Sequence, residues 1–516
     1  MMQIVVRGVY LCVLFAVAPA VRAQGGRLVV LVVVDQLRYQ DLLWARDQLG
    51  RGGFGGLGQP VQARYRAALT HTAPDHATLS TGTYPEVHGV VGNSLVEDGK
   101  PVEAIDDPEC ENWRGTRHQG PGKLLAPTVA DALKLASLGR ARTLAVAFKD
   151  RGALFLGGRG ADLALFWDYD NGELTSSRCY ANEAPAWLGG LQRRNPVSEW
   201  KDYVWTLSRP EAVYARLAEP ESGAGFPFRI GHGELGRPLF TALRASPPST
   251  TIVLRAAEAG VAGMRLGQRG ETDLLLISLS GLDYVGHASG TASRRRLDML
   301  LRMHDGLSGF VSRLRARLGD RVAFVLSADH GATPSPETVA AAHLAGAKLS
   351  LPALGAAVSE ALDKEFGPKG KWVDLVDDGV LSLHRMPGVD PLRAAQVAAA
   401  TLGKVPGMWR AVAAADMAAQ DPVLRRSFYP GRSGDVMFVQ RPLVTVADSE
   451  VASHGSPWNE DSLVPVLFAA PGFRLRPALA GGILDPIQIA PTLALLLGIA
   501  PPSAAFAEPF LVTTSR

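Results

Sequence analysis

The chain has 516 residues, 47% hydrophobic and 20% charged, which excludes a disordered chain and provides for a large buried core. Its 55 glycines and 35 prolines are scattered without a period, so collagen-like and low-complexity architectures are excluded too. A formal charge of +3, with no long Lys/Arg run, gives no electrostatic case for a nucleic-acid polymer or a stable membrane partner.

The N-terminus is organised as a secretory signal. Arg7 precedes the apolar stretch Val9–Ala20, which is too short for a membrane span, and Val21-Arg22-Ala23 supplies small residues at −3 and −1. Residues 1–23 are therefore expected to be removed after Ala23, leaving 24–516 as a periplasmic or secreted chain. The alternative is an uncleaved anchor. Removing Arg7 and Arg22, and no acid, lowers the formal charge from +3 to +1. Cys110 and Cys179 remain, enough for one disulfide but not for a Cys-rich zinc site.

Five short apolar runs follow: Leu28–Val34, Thr143–Phe148, Leu274–Leu279, Val322–Leu326 and Leu463–Ala469. Their hydrophobicity is continuous rather than alternating, as in strands buried on both faces of a parallel sheet. Helical spacing lies between and after them. Val129, Ala132, Leu133 and Ala136 mark one face of Thr128–Leu138, and Ser293–Leu318 and Ile487–Leu497 carry similar apolar faces. This alternation predicts an α/β fold: a doubly wound, mostly parallel sheet with helices on both faces. Residues 160–270 and 345–440 fit the pattern poorly and are expected as insertions or cap elements around one catalytic domain.

Acids and histidines collect where these strands end. Asp35 follows the first run, Asp283 and His287 the third, and Asp329-His330 the fourth; His454 precedes the fifth. Ligands of open α/β sheets bind outside the carboxyl ends of strands. Asp and His are oxygen and nitrogen ligands of a zinc-class ion, and this set suffices for two. Asp283 and His287 have the reach to bind from one loop, and the diverging side chains of Asp329 and His330 suit two neighbouring metals. Any single pair reads as ordinary hydrogen-bonded structure; the conjunction reverses that reading. Asp461 is placed either to orient a ligand histidine or to form a salt bridge.

A second constellation runs from Thr70 to Asn93. Thr72, ahead of Ala73-Pro74-Asp75, has the pattern of a helix N-cap with Pro in the first turn. A helix start favours an anion such as phosphate. The Thr72 hydroxyl is a nucleophile only if a metal or base lowers its pKa; otherwise it is a cap. His71, His76 and His88 flank it, with His76 read as a hydrogen-bonding post.

The pattern Thr72-Ala-Pro-Asp-His76, Thr81-Gly82 and Pro85-x-x-His88-Gly89, with the Asp and His set in order, resembles the alkaline phosphatase superfamily. The resemblance is to its threonine-nucleophile branch: the phosphate-irrepressible (PafA-type) alkaline phosphatases and the related nucleotide pyrophosphatases/phosphodiesterases. It implies two zinc ions, one held by Asp35, Asp329, His330 and Thr72, the other by Asp283, His287 and His454. It also implies a phosphothreonine intermediate.

A monoester carries more negative charge than a diester and calls for matching cations. Lys149 and Arg151 follow the strand run Thr143–Phe148 at i and i+2, a spacing that shares one strand face. Alone, they read as a solvated turn. By resemblance, Lys149, Arg151 and Asn93 are the phosphate-binding residues of a monoesterase acting on small-molecule phosphate esters. A phosphodiesterase or nucleotide pyrophosphatase on the same scaffold is the alternative, and a non-catalytic binding protein is a third reading.

Overall fold

The structure is a computed structural model that describes residues 26–217, 225–377 and 379–514; the expected signal peptide, 1–23, lies outside the described residues. In chain order, the elements that position the site are β1 (Leu28–Val34), α1 (Tyr39–Trp44), β2 (Val61–Arg64), α2 (Thr72–Thr81), α3 (Val129–Ala136), β3 (Thr143–Ala147), α4 (Asp150–Gly157), β4 (Leu163–Asp168), β5 (Glu173–Thr175), α5 (Pro247–Gly263), β6 (Asp273–Leu279), α6 (Gly281–Ser289), α7 (Arg294–Leu318), β7 (Val322–Ser327), β8 (Val373–Asp377), β9 (Val380–Leu383), β10 (Met408–Ala413), β11 (Val436–Gln440), β12 (Leu463–Ala469) and α8 (Ile489–Leu497).

The main sheet has eight strands in the order β2-β12-β7-β1-β6-β3-β4-β5. The run from β7 to β4 is parallel. Its continuous apolar strands are buried on both faces because helices cover both; every residue of β1, β6 and β7 is buried. α5 and α7 pack on each other, with α5 against β3 and β6, while α2 packs against α4 and α8. This is the doubly wound α/β architecture expected. One run departs from the simplest reading: Leu463–Ala469 pairs antiparallel with β7 and with β2. Continuous hydrophobicity reports burial on two faces, not strand direction.

The two poorly fitting stretches differ. Within 160–270, β4, β5 and α5 belong to the main sheet and its covering layer. Residues 345–440 build a separate four-stranded sheet, β8-β9-β11-β10, with its own apolar cluster around Val358, Leu381, Ala398 and Phe438. A third cluster joins the two bodies: Ala68 and Leu69, just before α2, pack with Val380, Met437 and Val439. Cys110 and Cys179 form a disulfide, with their Cα atoms 5.1 Å apart.

Candidate active site

Register brings the strand ends together. Val33 of β1 lies opposite Ser278 of β6 on one side and Ser327 of β7 on the other. Asp35, Asp283, Asp329 and His330 therefore emerge side by side and are fully buried. Asp283 and His287 lie on one helix, α6, rather than in the loop the sequence suggested; the i, i+4 spacing stacks them on one face, with His287 Nε2 3.1 Å from Asp283 Oδ1. His454 reaches the same place from the loop before β12, and its ring stacks on His330 with centroids 3.6 Å apart.

Two buried groups have ligand atoms close enough to share a cation: Asp35, His76 and Asp329, and Asp283, His330 and His454. His76 has hydrogen-bond partners of its own. Its Nδ1 lies 2.8 Å from the Thr72 carbonyl and its Nε2 2.9 Å from Ser278 Oγ, so both ring nitrogens are engaged. His330 stands between the groups, its Nε2 3.2 Å from Asp329 Oδ2.

Three observations show that these residues fit metal ions. Asp35 Oδ2, Asp329 Oδ2 and His330 Nε2 are buried and make no hydrogen bond; their near polar contacts are the Lys149 ammonium for the first, and each other for the second and third. His287, His330 and His454 each place Nδ1 at 2.8–2.9 Å from a backbone carbonyl, of Ala452, Gly331 and Thr70 respectively, which aims Nε2 inward as in metal-binding histidines. Finally, three buried carboxylates face one ammonium, Lys149. Burial pushes Asp283 and Asp35 up, but Lys149, with His287 and His76 respectively, outweighs it and holds both below the usual carboxylate range. Asp329 is left well above that range by burial and by repulsion from Asp35. Burial also pushes His330 down to about 3, and His454 well down, which keeps both imidazoles neutral and able to offer a lone pair to a cation. An added cation balances this charge.

Thr72 is the first residue of α2; its N-cap is His71, in extended conformation at φ −139° and ψ 159°. The cap expected at Thr72 is thus one residue earlier, and the first helical bond runs from Asp75 N to the His71 carbonyl at 3.0 Å. With no capping duty, Thr72 Oγ1 accepts a hydrogen bond from Lys149 Nζ at 3.1 Å. Lys149 Nζ also lies 2.6 Å from Asp283 Oδ2 and 3.1 Å from Asp35 Oδ2. Asn93 Oδ1 accepts from Ala73 N at 3.2 Å, next to the Thr72 hydroxyl's helix start.

Lys149 and Arg151 do not share a strand face. β3 ends at Ala147, Lys149 is the N-cap of α4, and Arg151 lies in its first turn. Lys149 is buried, while the Arg151 side chain is 28% exposed. Tyr284, adjacent to Asp283, lies beside Lys149: its ring centroid is 5.0 Å from Lys149 Nζ, and its hydroxyl is 3.2 Å from that of Tyr169. Phe148 stacks on Trp167 at 5.0 Å, so residues 167–169 form a wall behind the two cations. On the other side a cavity of about 160 Å³ opens between His71, Asn93, His287 and His454 and the four-stranded unit, which contributes Asp377, Phe438 and Gln440.

Asp461 forms no direct contact with a ligand histidine. Its carboxylate accepts from Thr333 Oγ1 at 2.8 Å and Ser456 Oγ at 2.5 Å, and its carbonyl from Gly331 N at 2.6 Å. It thereby ties the loop after His330 to the loop after His454, and burial holds its carboxyl up at about 7. Gln36 and Tyr284 had no sequence signal. Each is an ordinary residue next to an acid, and its role rests on tertiary contact.

The sequence profile of the Type I phosphodiesterase / nucleotide pyrophosphatase family matches residues 29–456. The chain belongs to this family. It is 26% identical to the alkaline phosphatase PhoV of Synechococcus elongatus, over 93% of this chain and 92% of that one. It is 26% identical to the alkaline phosphatase PafA of Elizabethkingia meningoseptica over 95% of each. The crystal structure of wild-type PafA superposes with a TM-score of 0.85 at 24% identity, covering 94% of this chain and 99% of that one. Murine ectonucleotide pyrophosphatase / phosphodiesterase 5 reaches 0.55 at 14% identity, covering 94% and 97%. The fold is therefore closer to that of PafA than to that of the murine phosphodiesterase.

Proposed function

We propose that this chain is an exported, zinc-dependent phosphate monoester hydrolase of the alkaline phosphatase type, acting on small-molecule esters through a phosphothreonine at Thr72. The observation that carries the reading is Lys149 Nζ at 3.1 Å from Thr72 Oγ1, within two buried Asp/His groups. Similarity to alkaline phosphatases over more than nine-tenths of the chain supports it. Asp35, Asp329, His330 and Thr72 would hold one zinc ion, and Asp283, His287 and His454 the other. When bound, the ions would lower the pKa of the threonine hydroxyl and neutralise charge on the attacking and leaving oxygens.

Thr72 Oγ1 gives up its proton and bonds to phosphorus. The ester oxygen departs with the P–O electron pair and takes a proton, so that alcohol and phosphothreonine are formed. Water then attacks phosphorus, releasing phosphate and restoring Thr72. Lys149 and Arg151 meet the extra charge that distinguishes a monoester, Lys149 as a point charge and Arg151 as a two-pronged donor. Asn93, beside the start of α2, orients a further phosphoryl oxygen. His76 keeps the first turn of α2 in place through the Thr72 carbonyl.

Export is supported by the secretory pattern of residues 1–23 and by the disulfide, which suits an oxidising compartment. Among the described residues no helix is long and apolar enough to cross a membrane. A phosphodiesterase is the second reading, favoured by the description of the matching family. The deciding test is kcat/KM for p-nitrophenyl phosphate against bis-p-nitrophenyl phosphate, with chelator and with zinc restored. A monoester preference that chelator removes and zinc restores is expected. A diester preference would overturn the cation-clamp role of Lys149 and Arg151, and no zinc-dependent activity on either ester would overturn the reading as a whole.

A further inference from the structure

We propose that Gln36 is a positioning residue that locks the two metal-binding groups to each other. The inference rests on the two-zinc reading above and extends it to a residue outside the ligand set. Gln36 directly follows Asp35, is fully buried, and adopts a left-handed backbone with φ 64°. Residues other than Gly and Asn rarely hold that conformation unless their surroundings impose it, and such strain collects at functional sites.

What the strained turn achieves is visible in its hydrogen bonds. The Gln36 backbone N–H donates to Asp329 Oδ1 at 3.1 Å, and its side-chain Nε2 donates to Asp283 Oδ1 at 2.9 Å. A single residue thus grips one carboxylate from each group while following a third on the chain. Asp329 Oδ1 also accepts from His330 N at 2.8 Å, so that oxygen is saturated and Oδ2 alone is offered inward. The hydrogen bond to Asp283 Oδ1 likewise fixes which way that carboxylate turns between His287 and Lys149. Carboxylate ligands that are themselves hydrogen-bonded present one orientation to a metal.

The turn is secured from behind. Arg296 of α7 donates from Nη2 to the Gln36 carbonyl at 2.7 Å and to Asp41 Oδ2 at 2.8 Å, and Arg38 grips the other Asp41 oxygen at 2.6 Å. In front, α6 leaves room for the amide only because residue 286 is glycine: a Cβ there would lie 1.8 Å from Gln36 Oε1. The obstacle is the end of a flexible side chain, so a methyl group at 286 would push the amide off Asp283 rather than break the helix.

Two variants separate positioning from folding. Gln36→Gly removes the amide, keeps the backbone N–H on Asp329 and relieves the left-handed strain. Gly286→Ala leaves Gln36 intact but displaces its amide. The measurement is zinc binding by chelator competition, resolved into two dissociation constants, alongside Tm of the zinc-free protein. In both variants one zinc is expected to bind roughly 10- to 100-fold more weakly than in the wild type. The zinc-free Tm of Gln36→Gly should be unchanged or higher, and excess zinc should restore kcat before KM changes. Wild-type zinc affinities in both variants would overturn the proposal whatever happens to Tm. If the wild-type chain itself fails to bind two zinc ions, it is the two-zinc reading that falls. If Gln36→Gly does not fold, Gly286→Ala decides alone.

Discussion

The two walls of the site are built on different principles. On the Asp/His wall short, direct hydrogen bonds fix the side chains, Asp283 through the Gln36 amide and Asp35 through the Ser278 hydroxyl, and most of the others through backbone. Asp329 is held by two N–H groups, and each ligand histidine by a carbonyl. On the other wall Lys149 and Arg151 rise from the start of one helix, and Lys149 lies over the ring of Tyr284. The first wall is set before any ligand arrives. The second carries positive charge on long side chains, with Arg151 open to solvent along part of its length. Metal geometry tolerates little error, whereas a clamp on phosphoryl oxygens works by charge over a wider range of positions.

The comparison yields a ranked set of tests. The largest effect belongs to the proposed nucleophile between the walls: Thr72→Ala should lower kcat by roughly 10⁴-fold or more, with two zinc ions still bound by elemental analysis. Loss of zinc together with activity would show that the metal wall depends on Thr72. Next, Lys149→Ala should lower monoester kcat/KM by roughly 100-fold but diester kcat/KM far less, with Arg151→Ala following the same pattern more weakly because it is partly solvated. Equal losses on both esters would make these residues general supports, erasing the distinction between the walls.

A smaller effect concerns stability behind the metal wall. Burial pushes Asp41 up, but Arg296 and Arg38 outweigh it and hold the carboxyl at about 2. A depressed folded pKa stabilises the fold above the unfolded value near 3.8, and the contribution disappears as pH falls towards 2. It is worth about 2 kcal/mol. Asp41→Asn should therefore lower stability at neutral pH and flatten the acid limb of a denaturation profile between pH 4 and 2. An unchanged acid limb would remove Asp41 from the account. The smallest effect is expected from Tyr169→Phe, which loses one hydroxyl contact to Tyr284 at 3.2 Å. A change of only a few-fold in KM, with kcat intact, would agree with a wall that works by charge.

Much of the sheet was legible because burial on two faces leaves a continuous apolar signature, and all five runs became strands of the main sheet. β2, β4 and β5 were not read. β2 is polar and short, and β4 and β5 sit in a stretch whose aromatic and glycine content suggested an insertion. Most of the Asp and His set was legible for a related reason, since Asp35, Asp283, Asp329 and His330 come within a few residues of a strand end, while His454 comes from a loop before one. Local geometry was less so. Thr72 moved from N-cap to first helical residue, and Lys149 and Arg151 moved from a strand face to a helix start, because element boundaries depend on bonds that composition does not encode. Gln36 carries no signal of its own; its contribution appears only once β1, β7 and α6 are brought together.

The junction between the main sheet and the four-stranded unit bears on how far this enzyme can be reduced in size. Ser427 Oγ accepts from the backbone N–H groups of Ala68 and Leu69, at 2.9 and 3.0 Å, and Leu69 sits in the shared apolar cluster. Thr72 follows three residues later. Excising 345–440 to obtain a minimal catalyst would strip two buried amides of their acceptor and expose Leu69, loosening the strand of chain that delivers Thr72. What looks like an appendage in sequence is a dowel in the frame, and a trimmed version would need a new hydroxyl and a new apolar cover at that spot.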